Sequence, residues 1–303
     1  VSRRPPQRVG DSTGRLIFGV DFTSAPSARK PITAAVGRWR CGPRATWEVD
    51  AILEIDSWEA FAGLLHTPGP WLGGFDLPFG QPRELVEHSG WPDQWPALVQ
   101  FYCGQPRPVL REIFRAWCDA RPPGRKFAWR RTDRPAGSSP AMRWTNPPVA
   151  WMMHAGVGRM LDAGLVFPAH RHPPGHRPTP SDRIALEAYP AYTARRACRG
   201  SYKSDSVGGR TRGRTSNRRA ILASLQAGEA GLNARVRLGA SLQRRIIADH
   251  AGDLLDAVIC GLQAGHAADQ PGYGLPPSLD PLEGWIASVA PALTAKGNRS
   301  FSE

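Results

Sequence analysis

Four acidic residues stand where a carboxylate is costly unless something compensates it. Asp21 closes the apolar run RLIFGV at residues 15–20, and Asp76 closes WLGGF, which begins at Trp71. Glu187 falls near the end of RIALEAYP, which begins at Arg183. Each of these runs is short, apolar and followed by turn-forming residues, so each predicts a buried strand that delivers a carboxylate at its C-terminal end. Asp256 is the sole charged residue between Leu254 and Gly265, on a helical pattern apolar on all sides. Such a helix is expected to be buried, and a buried charge is expensive unless paired or metal-bound. Crowded carboxylates repel one another, and a hard divalent cation relieves that repulsion. Mg²⁺ or Mn²⁺ held by Asp21, Asp76, Glu187 and Asp256 could activate a water and stabilise the departing oxygen of a phosphodiester.

The elements that must position these acids are legible in outline. Residues 32–39 and 46–55 read as two further strands in an antiparallel meander with the first, and Asp56-Ser57 as the cap of a helix carrying Trp58, Phe61, Leu64 and Leu65. That helix is a crossover, so the strand ending in Asp76 should lie parallel to the one ending in Asp21, with both carboxyl ends at one crevice. Residues 82–180 form a large insertion with helical pieces at 110–120 and 149–165. Asn217 is expected to cap the helix that follows it. Residues 241–265 read as one long helix with Asp249, Asp253 and Asp256 on one face. The expected organisation is a flexible extension at 1–14, a single α/β domain at 15–270 and a C-terminal segment at 271–303.

The 303 residues include 39 Lys and Arg against 26 Asp and Glu, a formal charge of +13 carried almost wholly by arginine. Arginine forks match phosphate oxygens, which favours a polyanionic partner such as DNA or RNA. Two segments concentrate the charge. Residues 195–219 hold nine basic residues and one acid, among them Arg195, Arg196, Arg210, Arg212 and Arg214, in a Gly- and Ser-rich setting that predicts a mobile loop ordered by nucleic acid. Residues 121–143 interleave basic groups, including Arg130 and Arg131, with Trp129 and Trp144, a mixture that suits phosphate contact and base stacking. The five cysteines contain no CxxC pair and imply neither a disulfide framework nor a zinc knuckle. His170, His172 and His176 alternate with prolines and read as a solvated loop. No apolar run approaches membrane-spanning length, so a cytoplasmic, membrane-free setting is expected.

The pieces GVDFTSAP, GGFDLPFG, LEAYPAYTARR followed by YK, and DLLDAVICGLQA resemble, in that order, the "domain of unknown function 429" family of predicted ribonuclease H-like nucleases. The resemblance covers the strands and the last helix; the insertion carries no matching motif. It implies a ribonuclease H-like three-layer fold with a mixed five-stranded sheet in order 3-2-1-4-5, strand 2 antiparallel and helices on both faces. It also implies that Asp21, Asp76 and Asp256 are metal ligands, Glu187 a ligand or water-orienting group, and Lys203 a phosphate contact, with Asp253 an alternative to Asp256. The expected activity is metal-dependent phosphodiester hydrolysis. One competing reading is a non-catalytic nucleic-acid-binding module. Another is an actin-like or sugar-kinase-type phosphotransferase, but the turn FTSAPSARKP lacks the glycines a phosphate-binding turn uses.

Overall fold

The β-rich sequence RLIFGVD forms β1 (Arg15–Asp21), which pairs antiparallel with β2 (Ile32–Arg40); β2 pairs antiparallel with β3 (Ala45–Ile55). The computed structural model describes residues 14–290, so the expected extension at 1–14, apart from Gly14, and the stretch 291–303 lie outside the described residues. Ser57 caps α1 (Trp58–Leu65) by accepting the Ala60 N–H, as its position predicts. The crossover then delivers β4 (Trp71–Asp76) parallel to β1.

The insertion follows as α2 (Arg83–His88), α3 (Trp95–Gly104), α4 (Arg107–Asp119), the single turn α5 (Asp133–Ala136) and α6 (Val149–Asp162). The chain returns to the sheet as β5 (Arg183–Glu187), parallel to β4, and continues into α7 (Pro190–Ala197) and α8 (Arg212–Ala227). A sixth strand, β6 (Ala234–Leu238), pairs parallel with β3, and α9 (Ala240–Ala248) and α10 (Asp253–Ala268) are the last α-helices among the described residues.

The result is a mixed six-stranded sheet in order β5-β4-β1-β2-β3-β6, with β2 the antiparallel strand. The expected five-stranded order is therefore corrected by one strand, added outside β3. Its sequence ARVRL buries Ala234, Val236 and Leu238 while Arg235 and Arg237 face solvent. In a short run set among other basic segments, that alternation is easily lost. Charge on an edge strand also discourages pairing with other chains.

Helices cover both faces. On one, Phe18, Val20 and Phe75 pack with Phe79, just past β4, and with Leu98 and Met153 of the insertion; on the other, Ile17, Leu72 and Leu186 pack with Leu255, Val258 and Ile259 of α10. Packing on the α10 face is backbone to backbone. A Cβ on Gly19 would stand 2.1 Å from the Ala257 carbonyl oxygen, and one on Gly74 would stand 2.3 Å from that of Cys260. These two glycines let α10 lie directly on β1 and β4.

Two helical expectations change. The stretch expected as one helix over 241–265 breaks between α9 and α10 at residues 249–252, where Gly252 takes φ 83° and Asp249 accepts the N–H groups of Ala251 and Leu254. The basic stretch 195–219 is a loop only in its middle: Arg195 and Arg196 lie in the last turn of α7 and Arg212 to Arg219 form the first half of α8, whereas residues 198–211 carry no α-helix. Thr211, not Asn217, caps that helix by accepting the Arg214 N–H.

Candidate active site

Asp21 and Asp76 are partners in the parallel register of β1 and β4, each the last residue of its strand. Aligned residues on neighbouring strands point to the same face, and here it is the face covered by α10. The close packing through Gly19 and Gly74 sets the first turn of α10 beside the two strand ends, adding Asp253 and Asp256. A helix N-terminus favours carboxylates electrostatically, which eases the crowding.

Two lysines reach into this group. Lys203 donates to Asp256, whose side chain is fully buried and also accepts from the Tyr202 hydroxyl at 2.6 Å. Lys30 donates to Asp253 at 2.7 Å and to Asp205 at 3.3 Å. The neighbouring Asp256 charge raises the Lys203 pKa against the opposing effect of burial. Burial is the largest single influence on Lys30 and opposes its charge, but the hydrogen bond to Asp253 together with the charges of Asp253, Asp205 and Asp21 leaves its pKa raised. Arg218 organises the segment from behind: it is 1 % exposed and donates to the carbonyl oxygens of Tyr202 at 2.6 Å and Ile247 at 2.9 Å.

Among the described residues no donor hydrogen bonds to the carboxylate of Asp21 or Asp76. Burial, followed by repulsion from Asp253, Asp256 and Asp76, pushes the Asp21 pKa well above the ordinary carboxylate range, with Lys203 opposing. Burial raises Asp76 to about 7; Lys203 pulls it down, while Asp256, Glu187 and Asp253 push it up. Among the described residues these two acids have no donor of their own, and the through-space charge of Lys203 falls short of compensating them.

Glu187 departs from the expected role. It pairs in register with Phe75, one residue short of Asp76, so side-chain alternation turns it to the insertion face. There it accepts from Arg130 Nη1 at 2.7 Å, Arg130 Nη2 at 2.6 Å and the Phe79 N–H at 3.0 Å. Burial still leaves its pKa raised, with Arg130 the main opposing influence. Arg130 is itself 3 % exposed and also binds Asp133, which is 0 % exposed, so it is a buried clamp and not the phosphate contact expected.

Arg131 is exposed, with its N–H on the Glu283 carboxylate at 2.9 Å. Arg195 donates to the Ala136 carbonyl at 2.5 Å, Arg196 to the Tyr192 hydroxyl at 2.7 Å and Arg214 to the Gly209 carbonyl at 2.5 Å. These three side chains bond to the protein itself, although Arg195 and Arg196 are exposed, as Arg210 and Arg212 are. His170 also departs from expectation: stacked on Trp95 at 4.2 Å and donating Nδ1–H to the Pro281 carbonyl at 2.6 Å, it is buried, and burial lowers its pKa to about 3.

Asp21, Asp76 and Asp253, but not Asp256, line a cleft of about 580 Å³, and Glu187 and Arg130 reach its wall. Its walls include Ser138, Pro147 and Met152 of the insertion, Tyr189 before α7, and Ile286, whose segment bridges to Glu187. The C-terminal segment is therefore part of the site's construction.

Among the described residues no three His, Cys, Asp or Glu side chains converge as a ready cation cage. The reason is visible in the pairing: Lys203 takes Asp256, Lys30 takes Asp253 and Arg130 takes Glu187. Asp21 and Asp76 remain as an uncompensated, same-facing pair, a donor set that fits Mg²⁺. That ion usually binds one or two carboxylates and completes its shell with water and substrate phosphate.

Lys30 and Tyr202 do not stand out in the sequence, although lysine itself is a signal: the chain has four lysines among its 39 basic residues, and two of them meet these acids. Set against known proteins, the chain significantly matches no family model, no curated protein and no solved structure. Among the described residues no helix is long and apolar enough to cross a membrane.

Proposed function

We propose that this chain is a metal-dependent nuclease of the ribonuclease H-like type, hydrolysing phosphodiester bonds of DNA or RNA at the cleft above Asp21 and Asp76. The observation that carries the reading is that pair: two acids aligned at the ends of adjacent parallel strands, without hydrogen-bond donors and with raised pKa values. Such an arrangement is unfavourable for folding by itself and favourable for holding a divalent cation. The motif resemblance and the sheet with its antiparallel second strand are consistent with the same reading, as is the basic character of the chain.

A bound Mg²⁺ or Mn²⁺ would supply Lewis acidity and a water of lowered pKa. Asp21 and Asp76 hold the ion. Lys203 and Lys30, already turned toward the acids, place positive charge where a phosphate's non-bridging oxygens would sit, and such preorganised charge lowers the cost of negative charge developing in the transition state. Asp253 and Asp256 hold the two lysines, and Tyr202 fixes Asp256. Arg130 keeps Glu187 and the cleft wall in place.

The test is incubation of the purified protein with labelled single-stranded and duplex DNA and RNA, with Mg²⁺ or Mn²⁺ and with a chelator. Cleavage that requires the ion is the expected result. Cleavage unaffected by the chelator, or binding without cleavage of any substrate, would overturn the proposal, the latter in favour of a non-catalytic binding module.

A further inference from the structure

A second cavity, of about 570 Å³, lies on the insertion and contains none of the acids described above as metal-facing. Arg121, Arg125 and Arg134 line it together with Phe127, Trp129 and Glu84. Among the described residues none of the three arginines forms an ion pair with a carboxylate, and what sets them apart from the chain's other unpaired arginines is that they meet in one cavity beside aromatic rings. Arg125 and Arg134 are exposed.

Two of the guanidinium groups are held by stacking. Arg121 lies 3.0 Å from the centroid of the Trp117 ring and donates Nη1–H to the Trp117 carbonyl at 2.9 Å; Arg134 lies 5.0 Å from that of Trp129. Stacking orients a guanidinium through its face and leaves to its edge the N–H groups that match phosphate oxygens, of which Arg121 has engaged one with the Trp117 carbonyl. Trp129 and Phe127 are partly exposed aromatic surfaces in the same cavity. Arginines without partners call for an anion, and aromatic rings beside them call for a flat apolar group attached to it. The single carboxylate, Glu84, disfavours a bare anion and can accept an N–H from a heterocycle.

We propose that this cavity binds a base-bearing phosphate, the phosphate on Arg121, Arg125 and Arg134 and the base against Trp129, either as a free nucleotide or as one unit of an unpaired nucleic-acid strand. A base buried in a duplex stack offers no free face to Trp129, so duplex is excluded as the ligand. The same short segment serves both cavities: Trp129 and Arg134 line the one, and Arg130, between them in sequence, lines the other. The proposal does not depend on cleavage.

The experiment is run in chelator, where cation-dependent cleavage plays no part. A short labelled oligothymidylate, adenosine monophosphate, inorganic phosphate and a blunt duplex are titrated against wild type, Arg125→Ala/Arg134→Ala and Trp129→Ala. The wild type is expected to bind the oligonucleotide or the nucleotide well above phosphate and duplex. Tight strand binding that the mononucleotide does not displace identifies the unpaired strand as source, and equal affinity for the mononucleotide identifies the free nucleotide. The double arginine variant should lower the slope of log affinity against log salt by about 0.7 for each phosphate left without its arginine, and Trp129→Ala should weaken binding about tenfold with the slope retained. The control Arg237→Ala/Arg245→Ala, which removes two exposed arginines elsewhere, should change neither. Phosphate or duplex binding as tightly as the nucleotide, no binding by wild type, or an unchanged slope in the arginine variant would overturn the proposal. The two arginines are exposed, so their removal leaves the fold in place even if Trp129→Ala does not. Loss of this binding with cation-dependent cleavage intact, or the reverse, separates the failure of this inference from the failure of the nuclease reading.

Discussion

The sheet ends in acids on both of its faces, and the two faces treat them oppositely. On the insertion face Glu187 is enclosed with Arg130 and Asp133, and Arg130 binds both carboxylates through short charge-assisted hydrogen bonds. On the α10 face Asp21 and Asp76 stand together with no donor on either, while the lysines nearby are engaged with Asp253 and Asp256. The first group is buried and internally neutralised, whereas the second opens partly to the cleft and is left without a hydrogen-bond donor. A buried ion pair of the first sort supports the architecture. An uncompensated pair of the second sort is stability given up for a site.

The largest test of that contrast sets Asp21→Asn against Arg130→Met. Asp21→Asn should abolish cation-dependent cleavage while leaving the melting temperature of the metal-free protein unchanged or higher, because one of several repelling charges is gone. Cleavage at the wild-type rate would remove Asp21 from the site. Arg130→Met should lower stability by about 3–5 kcal/mol in denaturant titration, since two buried carboxylates lose their partner. A loss below about 1 kcal/mol would mean that the clamp is not what holds the insertion to the sheet.

Of intermediate size is the effect of Gly74→Ala. The added methyl meets the α10 backbone, so the helix must shift, at an expected cost of about 1–3 kcal/mol. Cleavage should fall by more than stability alone accounts for at temperatures well below melting, because Asp253 and Asp256 move away from Asp21 and Asp76. Normal cleavage at such temperatures would show that the α10 acids do not need their present placement.

The smallest effect is read in pH. Asp76 has a pKa of about 7 in the folded chain against an ordinary value of 3.8. Between those values the folded state keeps a proton that the unfolded state has released, so the contribution of Asp76 to stability falls as pH rises through that window. Asp76→Asn should therefore raise the melting temperature of the metal-free protein most at about pH 8 and by less than half as much at about pH 5, where most of the window has yet to be crossed. His170 titrates in the opposite sense, being kept neutral by burial, but it is present in both proteins and cancels. Saturating Mg²⁺ should abolish the advantage of the variant. An equal gain at both pH values would show that Asp76 is not held protonated.

Local sequence was sufficient for the strands that end in Asp21, Asp76 and Glu187, for the crossover helix capped by Ser57, and for the parallel pairing of β1 with β4, because each rests on apolar runs and turn residues adjacent in the chain. It also sufficed to mark Asp256, isolated in an apolar helix. The sixth strand, the break at Gly252 and the helical ends of the basic stretch were less legible, since in each the local composition pointed elsewhere and packing decided the outcome. The sorting of the acids belongs to tertiary structure alone. Whether a strand-end carboxylate faces α10 or the insertion depends on a one-residue difference in register, which separates Glu187 from Asp76. Whether it is then neutralised depends on partners far away in sequence: Arg130 lies 57 residues from Glu187, and Lys30 lies 223 residues from Asp253. Short-range pattern carries the side-chain period of two but not its phase against a neighbouring strand, and charge compensation acts through space rather than along the chain.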